Sequence, residues 1–271
     1  MRGSSRGAYA AVQEAFDAVL AGAADRTTLG EGLFAVSAVI DANPSLRRAL
    51  ADPSRDGAAK RVLAQRLFGS RVSAEAAELV GATAAGRWAQ EGDFADTVES
   101  LGVQALLSQA EREGRIDAVE DELFRFERIV AGDSELRDAL SLRNTDVQGK
   151  AVLVRRLLEG KAHPETVRLA EHAVTNPRGR RLDRVLTGYL RLAATRREQL
   201  TALVTVATPL TEHQQARLRT ALEQIYGKPV VLQIVLDTAV VGGIRVQIGD
   251  EVVDGTVLRR LDEARRHIAG S

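Results

Sequence analysis

The chain has 271 residues, 45% of them hydrophobic but only 4% aromatic, with 37 basic residues against 37 acidic ones. That length allows one large domain or two to three small ones, and that apolar content excludes a disordered chain. A zero net charge and scarce rings argue against a nucleic-acid binder, and the absence of cysteine excludes disulfides, thiolate metal sites and a cysteine nucleophile.

From the N-terminus, Met1-Arg2-Gly3-Ser4-Ser5-Arg6 leads into no apolar run, so no signal peptide is expected. The longest uncharged stretch, residues 199–211, contains Pro209 and falls short of the ~20 mostly apolar residues of a spanning helix, so no membrane insertion is expected. Residues 8–200 read as helix throughout. Tyr9, Val12, Phe16, Val19 and Leu20 recur with the spacing of one apolar stripe on a first helix. Asn43-Pro44-Ser45 and Asp52-Pro53-Ser54 break the pattern, because proline lacks the donor that a helix interior needs. Leu46, Ala49 and Leu50 form a short helix between them, and Val62, Leu63, Leu67 and Phe68 belong to the next.

An internal repeat follows. Shifting the chain by 90 residues places 46–67 on 136–157 with ten identities in 22 gapless positions. They include the loop-borne Asp56 on Asp146 and Lys60 on Lys150; upstream, Leu33 and Phe34 meet Leu123 and Phe124. This is a duplicated helical unit. At the junction Asp93 is expected as an N-cap, ahead of Phe94, Val98, Leu101 and Ala105, and Gly114 as the stop. Gly102 is the weak point inside. The last helix of copy one is expected to run directly into the first helix of copy two.

Near Thr201 the period changes from helical to alternating. Val204 and Val206 mark a strand, Thr211-Glu212-His213-Gln214 a capping box, and Leu218, Leu222 and Ile225 the face of a helix ended by Gly227. Val230–Leu236 is a β-branched run, Gly242-Gly243 a bend, and Ile244, Val246 and Ile248 a further strand. Gly249-Asp250 is a hairpin turn into Val252-Val253, and Asp254-Gly255 leads to a last helix with Val257, Leu258, Leu261, Ala264 and Ile268 on one side. The fold class is mainly α: a duplicated N-terminal helical bundle followed by a small α+β C-terminal domain. The expected domains are 1–105 (copy one), 106–200 (copy two) and 201–271 (order β-α-β-β-β-α).

Chemistry-bearing patterns are absent. Gly149-Lys150 and Gly227-Lys228 lack the rest of a phosphate loop, and Gly242-Gly243 lacks the helix of a dinucleotide site. His163, His172, His213 and His267 have no zinc-site spacing. Asp237, Asp250, Glu251 and Asp254 could act as acid/base carboxylates, but turn and capping roles explain the aspartates better. No catalytic, cofactor-binding or metal-ligating residue is assigned. Residues 168–200 hold eight basic and three acidic residues, including Arg178, Arg180, Arg181 and Arg184, which read as a solvated face or as a docking patch for an acidic partner. The residues alone say adaptor or scaffold.

The C-terminal region carries a specific resemblance. Ala207-Thr208-Pro209-Leu210-Thr211 ahead of a helix, then Tyr226-Gly227-Lys228-Pro229, resembles the entry to the C-terminal domain of F-type ATP synthase delta subunits. These are the bacterial counterparts of the mitochondrial oligomycin-sensitivity-conferring protein. Leu236-Asp237-Thr238-Ala239-Val240-Val241-Gly242-Gly243-Ile244-Arg245-Val246, continued by residues 249–257 and Arg259-Arg260-Leu261, is similar to the family signature. Ser5-Arg6-Gly7-Ala8-Tyr9-Ala10 is a weaker match. Thr238 and Thr256 depart mildly from the usual proline and serine. Removing one 90-residue unit leaves 181 residues, about the size of a usual delta subunit, so this looks like an actinobacterial form with a second helical copy. The resemblance implies a non-catalytic stator at the cytoplasmic face of the cell membrane, with no cofactor. Its helical part would hold N-terminal segments of the alpha subunits and its end domain the b-type stalk, so that proton-driven rotation is coupled to ATP synthesis. Candidate alpha contacts are Tyr9, Val12 and Phe16 in copy one, or Leu106, Leu107 and Ala110 in copy two. Candidate b-stalk or signature residues are Asp237, Gly242, Gly243, Ile244, Asp254, Gly255, Leu258 and Leu261. The other reading is a generic helical-repeat adaptor unrelated to ATP synthase.

Overall fold

The computed structural model describes residues 3–141, 146–198, 200–237, 242–248 and 251–254. They form twelve helices and a four-stranded sheet, grouped into two compact units, Met1–Phe16 with Ala23–Arg197 and Asp17–Gly22 with Glu198–Ser271. Each unit is taken by itself. The fold is mainly α with a C-terminal α+β part, as the periodicities predict.

In the helical part, α1 (Ser4–Gly22) precedes α2 (Arg26–Ala42), α3 (Pro44–Ala51), α4 (Gly57–Phe68), α5 (Ala74–Ala85) and α6 (Glu91–Arg112). Then come α7 (Ile116–Gly132), α8 (Ser134–Ser141), α9 (Val147–Leu158), α10 (Pro164–Thr175) and α11 (Leu182–Glu198). The starts of α2 to α5 and of α7 to α10 differ by 90 at every step, and the lengths repeat as 17, 8, 12 and 12 residues. The caps repeat as well. Asp56 accepts from the Ala59 N–H, and Asp146 from the Gln148 and Gly149 N–H groups, which satisfies donors that a first helical turn leaves open. Pro44 sits at the start of α3, where its missing N–H costs nothing.

The junction differs from the expectation in one respect. α6 begins at Glu91, so Asp93 lies inside the first turn and its carboxylate accepts from Ser5 Oγ at 2.6 Å instead of capping. The helix then runs unbroken through Gly102 and stops before Gly114, whose φ of +68° is the left-handed geometry that glycine tolerates. Shifted by 90, α1 falls on 94–112 and α11 falls back on 92–108, so α6 answers to both. One helix closes the first set and opens the second, and residues 105 and 106 both lie within it.

Gly102 shows why α6 tolerates a mid-helix glycine. A Cβ there would lie 2.6 Å from Phe34 Cδ1, and one on Gly30 would lie 3.1 Å from the Gly102 carbonyl oxygen. α2 and α6 therefore cross almost backbone to backbone, and dispersion at this contact offsets the ~1 kcal/mol helix penalty of glycine. Phe34 enters a core made otherwise from the second set of helices, among Val103, Leu107, Leu123, Phe126 and Leu169.

In the second unit, β1 (Leu200–Val206) leads through α12 (Glu212–Tyr226) to β2 (Val230–Leu236), then β3 (Ile244–Ile248) and β4 (Glu251–Asp254). The sheet order is β2-β1-β3-β4. β1 and β2 are parallel, joined by α12 as the crossover that parallel pairing requires, and the other pairs are antiparallel. Ala202, Val204 and Val206 alternate onto one face and form a small core with Leu222, Val230, Leu232 and Val246. The capping box is present in full, with Thr211 and Gln214 bonding reciprocally, and Gly227 ends α12 at φ +65°. Ile248 stands opposite Glu251, on either side of the expected turn Gly249-Asp250. That turn and the last expected helix, with Gly255, Leu258 and Leu261, lie outside the described residues.

Candidate functional site

Among the described residues, no group of three or more His, Asp or Glu side chains is placed to hold a metal ion, and no helix is long and apolar enough to cross a membrane. The densest charged cluster is internal. Glu99 of α6 has its side chain 3% exposed and accepts from Arg178 Nη1 at 2.9 Å, Arg180 Nη2 at 2.6 Å and the Tyr189 hydroxyl at 2.9 Å. Burial alone would raise its carboxyl, but the charge and hydrogen bonds of Arg180, with His172 and Arg178, hold it below the ordinary value. Arg178 also pairs with Asp96 at 2.8 Å and with Asp41 at 3.5 Å. Its backbone sits at φ +51°, a strained setting for a side-chain-bearing residue that these ion pairs hold in place.

This cluster ties α2, α6 and the segment before α11 into one body. It also divides the basic run of 168–200. Arg178 and Arg180 are consumed internally, whereas Arg181 and Arg184 face solvent. Arg196 is buried too, donating to Glu111 Oε2 at 2.7 Å and to Ser108 Oγ at 3.1 Å, and Arg26 reaches the same hydroxyl at 2.6 Å. Sequence reasoning missed Glu99. Its signal was a carboxylate on the apolar stripe of α6, one turn from Ala95 and from Gly102.

The candidate alpha contacts are placed as follows. Tyr9 is half-buried, whereas Val12 and Phe16 are 2% and 0% exposed. Leu106, Leu107 and Ala110 are all fully buried in the second-set core, and Leu106 lies against Gly30 of α2. Leu106 is therefore covered in part by the chain's own α2, and Leu107 and Ala110 by the second-set core. On the 90-residue shift, Phe16 is the counterpart of Leu106 and Val12 of Gly102.

In the second unit, the signature brackets the bend between β2 and β3. The Asp237 N–H donates to the Val206 carbonyl at 3.0 Å and extends the β1–β2 ladder by one step. Gly242 and Gly243 have φ values of +66° and +87°, so the bend is built from conformations that only glycine takes without strain. Ile244 then pairs opposite Val206, and Asp254 stands opposite Arg245 on the edge strand. Asp237 follows β2, Glu251 and Asp254 begin and end β4, and Asp250 lies outside the described residues.

The described residues form a helical-repeat body joined in sequence to a small α+β unit. The family model described as ATP synthase delta (OSCP) subunit matches residues 103–268, more than half of the chain. The chain belongs to that family, and it is a peripheral-stalk subunit of ATP synthase. The match begins inside α6 and so takes in the second set of helices and the α+β part. Similar full-length relatives are the ATP synthase subunit delta of Kineococcus radiotolerans, 48% identical over 99% of this chain and 98% of that one, and of Streptomyces griseus, 46% identical over the whole of both. That of Streptomyces coelicolor is 45% identical over 99% and 98%. These full-length matches set aside a generic adaptor unrelated to ATP synthase.

Proposed function

We propose that the chain bridges the N-terminal segments of the alpha subunits and the b-type stalk at the cytoplasmic face of the membrane, without catalysis of its own. The observation that carries this reading is α2 lying along α6. A helix of the chain itself seated against Gly102 and Leu106 supports a scaffold whose helix faces accept an amphipathic helix lengthwise. The alpha segment is placed on the first copy at the Tyr9 end of α1, because Tyr9 alone among the candidate contacts is only half-buried; Val12 and Phe16, as buried as Leu106, Leu107 and Ala110, support it from beneath. The Gly242-Gly243 bend and the strands beside it would set the shape that the b-stalk meets. The division of labour follows 1–105, 106–200 and 201–271, with the middle section spacing head from stalk. Two linked grips raise effective affinity without either being tight.

Affinity capture with purified alpha and b subunits tests this. Deleting 201–271 is expected to abolish b capture and spare alpha capture. Gly243→Val, which forces a β-branched residue to φ +87°, is expected to weaken b binding at least about tenfold, ~1.4 kcal/mol. Tyr9→Asp should weaken only alpha capture. Unchanged binding of both subunits by all three variants overturns the reading.

A further inference from the structure

We propose that the exposed face around Phe124 docks a helix of another protein, one that carries a basic residue and, one turn later, a flat aromatic or imidazole side chain. The inference goes beyond the stalk reading, because it rests on the duplication alone. The chain displays on its first copy what covers the same face. There, α2 presents Glu31 and Phe34, and α10 lies over them. Arg168 Nε donates to Glu31 Oε1 at 2.6 Å. His172 stacks on Phe34 with ring centroids 3.7 Å apart and planes 7° from parallel. Arg168 and His172 are four residues apart and so share one face of α10. Held between Gly102 of α6 and His172 of α10, Phe34 is only 8% exposed.

On the second copy, Asp121 and Phe124 occupy the matching positions of α7. Among the described residues of the helical unit, none stands over them as Arg168 and His172 stand over Glu31 and Phe34. Phe124 is 49% exposed, beside an open cleft of about 430 Å³ formed with Leu190, Ala194 and Arg197 of α11. Asp121 pairs with Arg125 on its own helix at 2.5 Å, a surface pair that an incoming cation can replace at little cost. An exposed ring in a cleft that also carries the carboxylates of Asp117, Glu120 and Asp121, three against the one cation Arg197, is suited to a basic amphipathic helix.

The sequence of α5 argues against a second copy of this chain as the occupant. The first-copy counterpart of α10 is α5, and at the positions of Arg168 and His172 it carries Glu78 and Ala82. Glu78 would face Asp121 with like charge, and Ala82 has no ring to stack. α10 itself is already engaged within its own chain.

The probe is a helix-stapled peptide of residues 163–176 of this chain, which carries Arg168 and His172 in the required spacing. It is titrated into the full chain, whose Phe34 face is already filled. Saturable binding is expected, weakened at least about tenfold by Phe124→Ala or Asp121→Arg, and restored for Asp121→Arg by the Arg168→Glu peptide. Both residues are exposed, and circular dichroism confirms that the variants stay folded. No saturable binding, or binding that Phe124→Ala leaves unchanged, overturns the proposal. In cells, a benzophenone amino acid at position 124 should crosslink to a different protein, on a helix with the stated basic–ring pair. No adduct, an adduct without that pair, or an adduct to a second copy of this chain overturns it. Capture of alpha and b subunits by the same preparation reports separately on the stalk reading.

Discussion

His172 sits in a place where a proton is unwelcome. It is 6% exposed, stacked on Phe34, and its Nε2 lies 3.7 Å from Glu99, whose charge Arg178 and Arg180 already balance. Burial pushes the imidazole down from its ordinary 6.5 to about 4, with Glu99 opposing and the two arginines reinforcing. The folded value lies below the unfolded one, so on acidification the unfolded chain takes up this proton first. Stability therefore falls as pH drops from about 6.5 to about 4 and this contribution is constant below that. The loss integrates to about 3 kcal/mol. Denaturant midpoints measured from pH 7 to pH 4 are expected to fall more steeply for the native chain than for His172→Phe, which carries no titrating group. Parallel profiles would refute the assignment. Tyr189 is shifted in the same sense as any buried neutral phenol: burial, then Glu99, raises it well above its ordinary value.

At the scale of elements, the crossing of α2 and α6 sets the architecture. Gly102→Leu would drive a side chain into the Phe34 ring, which stands 2.6 Å from the position of the first added carbon. Displacing Phe34 also breaks the His172 stack. We expect a loss of about 2 kcal/mol or more, seen as a lower urea midpoint at unchanged slope, even though leucine is the better helix former. The second set carries Leu192, half-buried, at the matching position, so side-chain bulk is not what the repeat itself forbids. The repeated Asp and Lys, legible in the sequence as loop-borne matches, acquire distinct roles. Asp56 and Asp146 cap α4 and α9, and the Lys60 Nζ donates to the Gly86 carbonyl at 2.8 Å. Both Lys60 and Lys150 are buried, and that burial lowers their ammonium values.

For the helical part as a whole, sharing α6 makes the two sets of helices interdependent. A fragment of residues 1–112 keeps the first set but strips Val103, Leu106, Leu107 and Ala110 of the core that buries them, and Phe34 of α10. Each large side chain among these is worth about 1.5–3 kcal/mol when buried. The fragment is expected to bind a hydrophobic dye and to melt well below residues 1–198, or without a cooperative transition, in scanning calorimetry. A fragment melting at the same temperature, with no dye binding, would show that the sets are independent.

The sequence by itself determined which stretches are helix and strand, where proline and glycine stop them, that a 90-residue unit recurs, and which family the signature resembles. All of these depend on neighbours close along the chain or on a match of one stretch to another, and both are written in residue order. The helix shared by the two copies was also legible, as an unbroken run from Phe94 to Gly114; what needed the folded chain is that Leu106, Leu107 and Ala110 are spent on the chain's own α2 and second-set core, that Glu99 neutralises two arginines from 79 and 81 residues away, and that Phe34 is covered while Phe124 is half exposed. Hydrophobic periodicity says that a face is apolar. What covers that face is settled by side chains remote in sequence: Phe34 lies between Gly102 of α6 and His172 of α10, whereas at Phe124 the glycines of that crossing are replaced by Glu120 and Leu192 and the ring stays half exposed.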